Sequence, residues 1–134
     1  MRRELPSEIG RTIATNPRVA AAWVFGSVAR GDAGAESDLD VAVLLRGPEE
    51  PDDVRSLYGL AAALERFSPS GLVDIVVLGR QGPVFRHRVL AEGALVYDGD
   101  PEARMDFRRA HDPRVPRLEA DARHRDAQHV RRPA

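Results

Sequence analysis

Apolar residues fall in short runs separated by turn signals, and the spacing inside each run predicts its element. Leu5, Ile9 and Ile13 recur at intervals of four, which predicts a helix over 5–15, stopped by Asn16-Pro17. The run from Val19 to Phe25 is continuously apolar and reads as a buried strand. Gly26-Ser27 follows, then a short turn of helix to Arg30 and a loop rich in Gly, Ala and acids. A second strand runs from Leu39 to Leu45, apolar on both faces except at Asp40, and Gly47-Pro48 breaks it. Residues 51–67 read as a helix. Pro51, Asp52 and Asp53 suit its first turn, and Val54, Leu57, Ala61 and Leu64 form the expected inward stripe. Ser68-Pro69-Ser70-Gly71 is a turn. A third strand spans 72–78 and is interrupted by one acid, Asp74. Pro83 opens a helix that Gly93 closes, with Phe85 and Val89 inward. Residues 94–97 form a fourth short strand, and Asp100-Pro101-Glu102 starts a last helix.

Strands alternating with helices give the α/β class. The first two strands are close enough to be hairpin-like neighbours, while the helix between the second and third allows a crossover. A small mixed sheet flanked by helices is therefore expected. The periodic pattern decays after His111. Residues 112–134 hold three prolines, six arginines and almost no apolar side chains. The expected organisation is one domain over 1–110 and a polar Arg/His/Pro-rich tail over 111–134, flexible or ordered by a partner.

Composition narrows the chemistry. The chain has 134 residues, enough for one domain, and its 43% hydrophobic content can build a core. Aromatics make up only 5%, so that core must be mostly Val, Leu, Ile and Ala. The 21 acids and 20 bases nearly cancel, which argues against direct nucleic-acid binding. The absence of cysteine removes disulfides, cysteine–zinc sites and a thiol nucleophile. Every base other than histidine is arginine, so a P-loop lysine is excluded. No apolar run is long enough for a transmembrane helix, and no apolar stretch backs the basic start as in a signal peptide. The expected location is the cytoplasm, with no membrane partner.

The acids inside the strands carry the candidate chemistry. Asp38 and Asp40 flank Leu39, and in a strand that spacing puts both carboxylates on one face, about 6–7 Å apart. Asp74 interrupts the third strand in the same way, so three carboxylates converge if the second and third strands are neighbours. Bare carboxylates this close repel, and a divalent cation removes the penalty. Mg²⁺ uses one or two carboxylates together with waters and substrate phosphates. Gly26-Ser27 is the candidate phosphate turn: Gly admits a close anion, Ser adds a hydroxyl, and the helix start that follows presents N–H groups. Arg30 is a candidate bidentate phosphate contact. The four histidines, His87, His111, His124 and His129, lack compact ligand spacing for zinc. Trp23 and Phe25 are expected in the core. Tyr58 and Tyr97 are expected to be partly buried and structural, Ser37 to brace the acidic loop, and Asp32 and Glu36 to be loop acids.

Val24-Phe25-Gly26-Ser27-Val28-Ala29-Arg30-Gly31-Asp32 followed by Ser37-Asp38-Leu39-Asp40-Val41-Ala42-Val43 closely resembles the minimal nucleotidyltransferase (MNT) family of the DNA polymerase β-like superfamily. Its mark is Gly-Ser, ten residues, then Asp-x-Asp. Val73-Asp74-Ile75-Val76 resembles the family's third-carboxylate strand, and Leu90-Ala91-Glu92-Gly93 through Val96-Tyr97-Asp98 its helix-to-strand passage. The resemblance covers residues 5 to about 110 and implies a polymerase β-like fold. It implies that Asp38 and Asp40 bind two Mg²⁺ ions and that Asp74 completes the metal site and helps deprotonate an acceptor hydroxyl. It also implies that Gly26 and Ser27 hold the triphosphate of ATP. Such domains are often antitoxins of HEPN–MNT pairs that transfer AMP to a tyrosine of the HEPN ribonuclease toxin. A core of about 100 residues leaves little protein for an acceptor pocket, so the acceptor is expected to come partly from another chain. The alternatives are a small-molecule, antibiotic-type nucleotidyltransferase and a binding module that neutralises a toxin by contact alone. The Arg, His and Pro content of the tail departs from the more regular final helix of many members.

Overall fold

Helix α1 (Leu5–Ile13) buries Leu5, Ile9 and Ile13 along one side, as their spacing requires. The computed structural model describes residues 3–112. Asn16 ends the segment that α1 begins. Its Oδ1 accepts from the Arg18 N–H at 2.9 Å, and its Nδ2 donates to Ser56 Oγ at 2.7 Å. The turn is thereby tied to the helix packed against α1.

The strands form one sheet: β1 (Val19–Phe25), β2 (Leu39–Leu45), β3 (Val73–Val77) and β4 (Ala94–Asp98), in the order β3-β2-β1-β4. β1 is antiparallel to both β2 and β4, while β2 and β3 are parallel. A parallel pair needs a crossover, and helix α3 (Asp53–Leu64) supplies it. The expected mixed sheet is therefore what forms. β1 and β2 read as apolar on both faces because helices cover both. Ala22, Val24, Val41 and Val43 pack with α1 and α3. On the opposite face Ala21, Trp23 and Ala42 pack against Val89 and Phe107, which belong to α4 (Pro83–Glu92) and α5 (Pro101–His111).

Several boundaries differ from expectation. α1 ends at Ile13, and α3 starts at Asp53, with Pro51 and Asp52 in the preceding turn. Residues 65–67 tighten into a 3₁₀ turn. The inward face of α3 also differs: Leu60 and Leu64 are buried and Leu57 packs beside them, whereas Val54 is 55% exposed. The cause is polar. Arg18 Nε donates to Asp53 Oδ1 at 2.8 Å, and the Glu50 N–H donates to Asp53 Oδ2 at 2.7 Å. Those bonds turn Asp53 inward, and Leu57, Leu60 and Leu64 follow it on one helical face. The same rotation leaves Tyr58 74% exposed, against the expectation that it is partly buried.

Trp23 is buried, and Phe25 and Tyr97 pack at the margins of the two cores. Asp100 caps α5, its side chain accepting from the Ala103 N–H at 3.1 Å. α5 runs to His111 and Asp112 is fully buried; the rest of the expected tail, residues 113–134, lies outside the described residues. Among the described residues no helix is long and apolar enough to cross a membrane.

Candidate functional site

The sheet register assembles the acids. Phe25 of β1 stands opposite Asp40 of β2, and Asp40 stands beside Asp74 of β3. Alternation along a strand puts Asp40 and Asp74 on the face shared by Ala42 and Val76, which is the face covered by α4 and α5. Asp38 lies two residues before Asp40 and shares that side. The three carboxylates line one end of the sheet, where β1 gives way to helix α2 (Gly26–Arg30).

Gly26 starts α2 with φ of +75°, a left-handed conformation that other residues adopt only with strain. A Cβ on Gly26 would stand 2.5 Å from Asp40 Oδ2. Glycine is therefore required twice, for the turn and for the close approach of backbone to carboxylate. The opening N–H groups of a helix have no partner within it, so this backbone is available to an anion. Ser27 is half-buried beside it, and its carbonyl accepts from the Asp32 N–H at 3.1 Å.

Burial is the main influence that pushes the Asp40 carboxyl above its ordinary range, followed by the negative charges of Asp74 and Asp38. Among the described residues no positive group offsets these charges at that position. Asp38 is exposed, and its Oδ1 accepts a hydrogen bond from Ser70 Oγ at 2.7 Å. Ser70 also accepts from the Leu72 N–H at 3.1 Å and donates its own N–H to the Ser37 carbonyl at 3.1 Å. The turn before β3 thus fixes the loop before β2. Ser37 braces the acidic loop as expected, its Oγ accepting from the Gly34 N–H at 3.0 Å.

Among the described residues no three His, Cys, Asp or Glu side chains form a ready-made metal cage. The arrangement is an open row of carboxylates. That suits a hard cation that takes one or two carboxylates and fills its shell with waters and phosphate oxygens. Asp40 and Asp74, adjacent in register, could hold such an ion, and Asp38 could share it.

The guanidinium of Arg30 bonds Asp32 at 3.3 Å and is exposed. It lies on a cleft of about 160 Å³ beside Gly26, whose other walls include Phe25, Phe85, Arg88 and Glu92. Phe25 and Phe85 meet edge-on with ring centres 5.3 Å apart. Sequence reasoning missed Ser70 and Arg88. Ser70 looked like ordinary turn chemistry. Arg88 follows Phe85 by three residues and precedes Glu92 by four, so the helical spacing could have placed it on the cleft. The described histidines lie elsewhere: His87 is 3.7 Å from Asp112, and His111 stacks on Phe107. His124 and His129 lie outside the described residues.

Comparison with known proteins bears directly on this geometry. The family described as Polymerase beta, Nucleotidyltransferase matches residues 7–102. No curated protein matches in sequence. Solved structures do match in fold. One is a toxin–antitoxin with AMP-PNP, at TM-score 0.59 and 20% identity, over 94% of this chain and 91% of that one. The MntA–HepT toxin–antitoxin matches at 0.53 and 19%, over 97% and 92%. A tri-AMPylated Shewanella oneidensis HEPN toxin in complex with MNT antitoxin matches at 0.56 and 19%, over 98% and 92%. At these identities the likeness is one of fold. The family match spans both the Gly26-Ser27 turn and all three acids, and this chain belongs to the Polymerase beta nucleotidyltransferase family.

Proposed function

We propose that this chain transfers AMP from ATP to a tyrosine hydroxyl of a HEPN-type partner protein and acts as its antitoxin. The observation that carries the reading is the register that sets Asp40 beside Asp74, one strand away from the Gly26 backbone. Similar folds occur in an AMP-PNP complex and in a complex whose HEPN toxin is AMPylated.

In this reading Gly26 and Ser27 hold the triphosphate, and Arg30 swings from Asp32 to a phosphate oxygen. Asp38, Asp40 and Asp74 would hold two Mg²⁺ ions; the oxygen-only donor set and the uncompensated charge at Asp40 fit them. When bound, Mg²⁺ neutralises phosphate charge and lowers the cost of deprotonating the acceptor. Asp74, on the outermost of the three strands, faces the incoming hydroxyl and receives its proton. The tyrosine oxygen forms a bond to the α-phosphorus, the bond from that phosphorus to the α,β-bridging oxygen breaks, and pyrophosphate leaves with the electron pair. Ser70 acts through Asp38, holding its carboxylate toward the site.

The test is the intact mass of the cognate HEPN protein after incubation with Mg-ATP and this chain. One or more additions of AMP are expected with the wild type, and none with Asp38→Ala/Asp40→Ala. Neutralised ribonuclease activity without added mass would replace transfer with contact alone.

A further inference from the structure

We infer that the groove beside the free edge of β3 is the docking track of the acceptor polypeptide, which joins the sheet as an extended strand and so delivers its hydroxyl to Asp74. The inference rests on the transfer reading above and names how the acceptor reaches that site.

The row of carboxylates has a nucleotide side and a sheet-edge side. At the β1 end the Gly26 backbone closes against Asp40 and takes the nucleotide side. At the other end β3 is the sheet edge among the described residues. Its backbone there is open in a defined pattern. The Leu72 carbonyl accepts from the Leu39 N–H at 3.0 Å, so by alternation Asp74 and Val76 direct their peptide groups toward β2. Val73 and Ile75 direct theirs outward. The Val77 carbonyl is already taken by Gln81 Nε2, at 3.3 Å, which marks where pairing would end.

Alongside this edge lies a groove of about 430 Å³, walled by Val54, Leu57 and Tyr58 of α3 and floored by Ile75. Asp74 lines it too, with Val73, Val76 and Val77, so the groove runs along the strand that carries this carboxylate. Val54 and Tyr58, turned outward by the Arg18–Asp53 pair, are 55% and 74% exposed. An apolar groove on an open edge is a template for strand addition.

Alternation then assigns the occupant's side chains. The residue opposite Asp74 points to the carboxylate face, with its Cβ about 5 Å from that of Asp74. A long hydroxyl side chain there reaches over Asp74 toward Asp40. The residues before and after it point the other way, into the Val54–Tyr58 groove, and should be apolar. The loop entering α3 carries Glu49, Glu50, Asp52 and Asp53, and Arg18 and Arg80 pair with only part of that charge. Basic residues should therefore flank the apolar ones. The occupant is an extended segment of another protein, with tyrosine between apolar residues and arginine or lysine outside them.

The experiment uses the full chain and its cognate HEPN protein. Amide hydrogen exchange of Val73 and Ile75 should slow at least tenfold in the complex. Val54→Arg/Tyr58→Arg should cut the initial rate of mass addition at least tenfold at low partner concentration. It should leave the melting-temperature rise on adding Mg-ATP unchanged, since neither residue nears Gly26. Absence of protection at Val73 and Ile75 overturns the proposal. So does mass addition by the variant at or above the wild-type rate, in which case the groove serves a second copy of the chain or residues 113–134. A wild type that protects these amides yet adds no mass keeps the docking track and removes the transfer reading.

Discussion

Replacing Asp40 with Asn should stabilise the metal-free protein while abolishing its function. The substitution keeps side-chain shape and removes one charge from a row of three. Asp40 and Asp74 are partners in register, and neighbouring strands lie about 4.8 Å apart, so a separation of about 5 Å is taken for their charges. Coulomb repulsion at that distance is about 0.8 kcal/mol in a water-like medium and about 3 kcal/mol at a surface-like dielectric. Asp74 and Asp38 are exposed, so screening favours the lower figure. Relief from burying the Asp40 charge adds to it. The expected gain is about 1–2 kcal/mol, a rise of roughly 4–8 °C in Tm for a domain of this size. The assay is thermal and urea unfolding with EDTA at about pH 8, then with Mg-ATP. The wild type should gain strongly from Mg-ATP. Asp40→Asn should start higher and gain little, with transfer reduced at least a hundredfold. A variant less stable than wild type in EDTA would mean that the Asp40 carboxylate is a structural group. An undiminished Mg-ATP shift would place the nucleotide elsewhere.

Three other positions carry further outcomes. Arg18, then the Glu50 N–H, holds the Asp53 carboxyl below its ordinary range, so the pair contributes stability above the unfolded carboxylate pKa. That stability is lost as pH falls through the folded value. Asp53→Asn should lower urea stability at neutral pH and flatten its decline between about pH 5 and pH 2, and an unchanged pH profile would refute the pairing. Gly26→Ala should cost about 1 kcal/mol through its positive φ and also displace the Asp40 carboxylate, eliminating the melting shift with Mg-ATP. Gly47→Ala, also at positive φ but with open space around it, should carry a similar stability cost and keep the shift.

The strands were legible because a sheet covered on both faces demands continuous apolar runs, and Val19–Phe25 and Leu39–Leu45 match those runs residue for residue. α3 was legible as a helix but not in its rotation. Val54, Leu57, Ala61 and Leu64 make a plausible stripe, and so do Leu57, Leu60 and Leu64. Hydrophobicity cannot choose between them when the deciding contact is a carboxylate bonded to an arginine 35 residues away. An acid at the start of a helix reads as solvent-facing and dipole-stabilised. Asp53 stands in the first turn as read, but its burial comes from a partner in a distant turn, which helical spacing does not reveal.

The site shows the same division with the opposite result. Asp40 and Asp74 announce themselves because each interrupts an apolar strand, and at half-buried Asp40 the charge has no structural use that offsets its burial. The like charges beside Asp40 raise that cost further. A group that costs stability where it stands is the natural candidate for a role outside the folding of the chain. Ser70 and Arg88 carry no such anomaly: a serine in a turn and an arginine on a helix are what any surface would hold. Their importance arises only when folding brings Ser70 to Asp38 and Arg88 to the cleft beside Gly26. Residues that oppose stability can therefore be found in one sequence, whereas residues that merely support them need the contacts. The exposed face of α3 belongs to a third kind. Val54 reads as inward and Tyr58 as partly buried in the sequence, both stand in solvent in the structure, and that mismatch directs attention to the edge of β3 as the proposed side of acceptor approach.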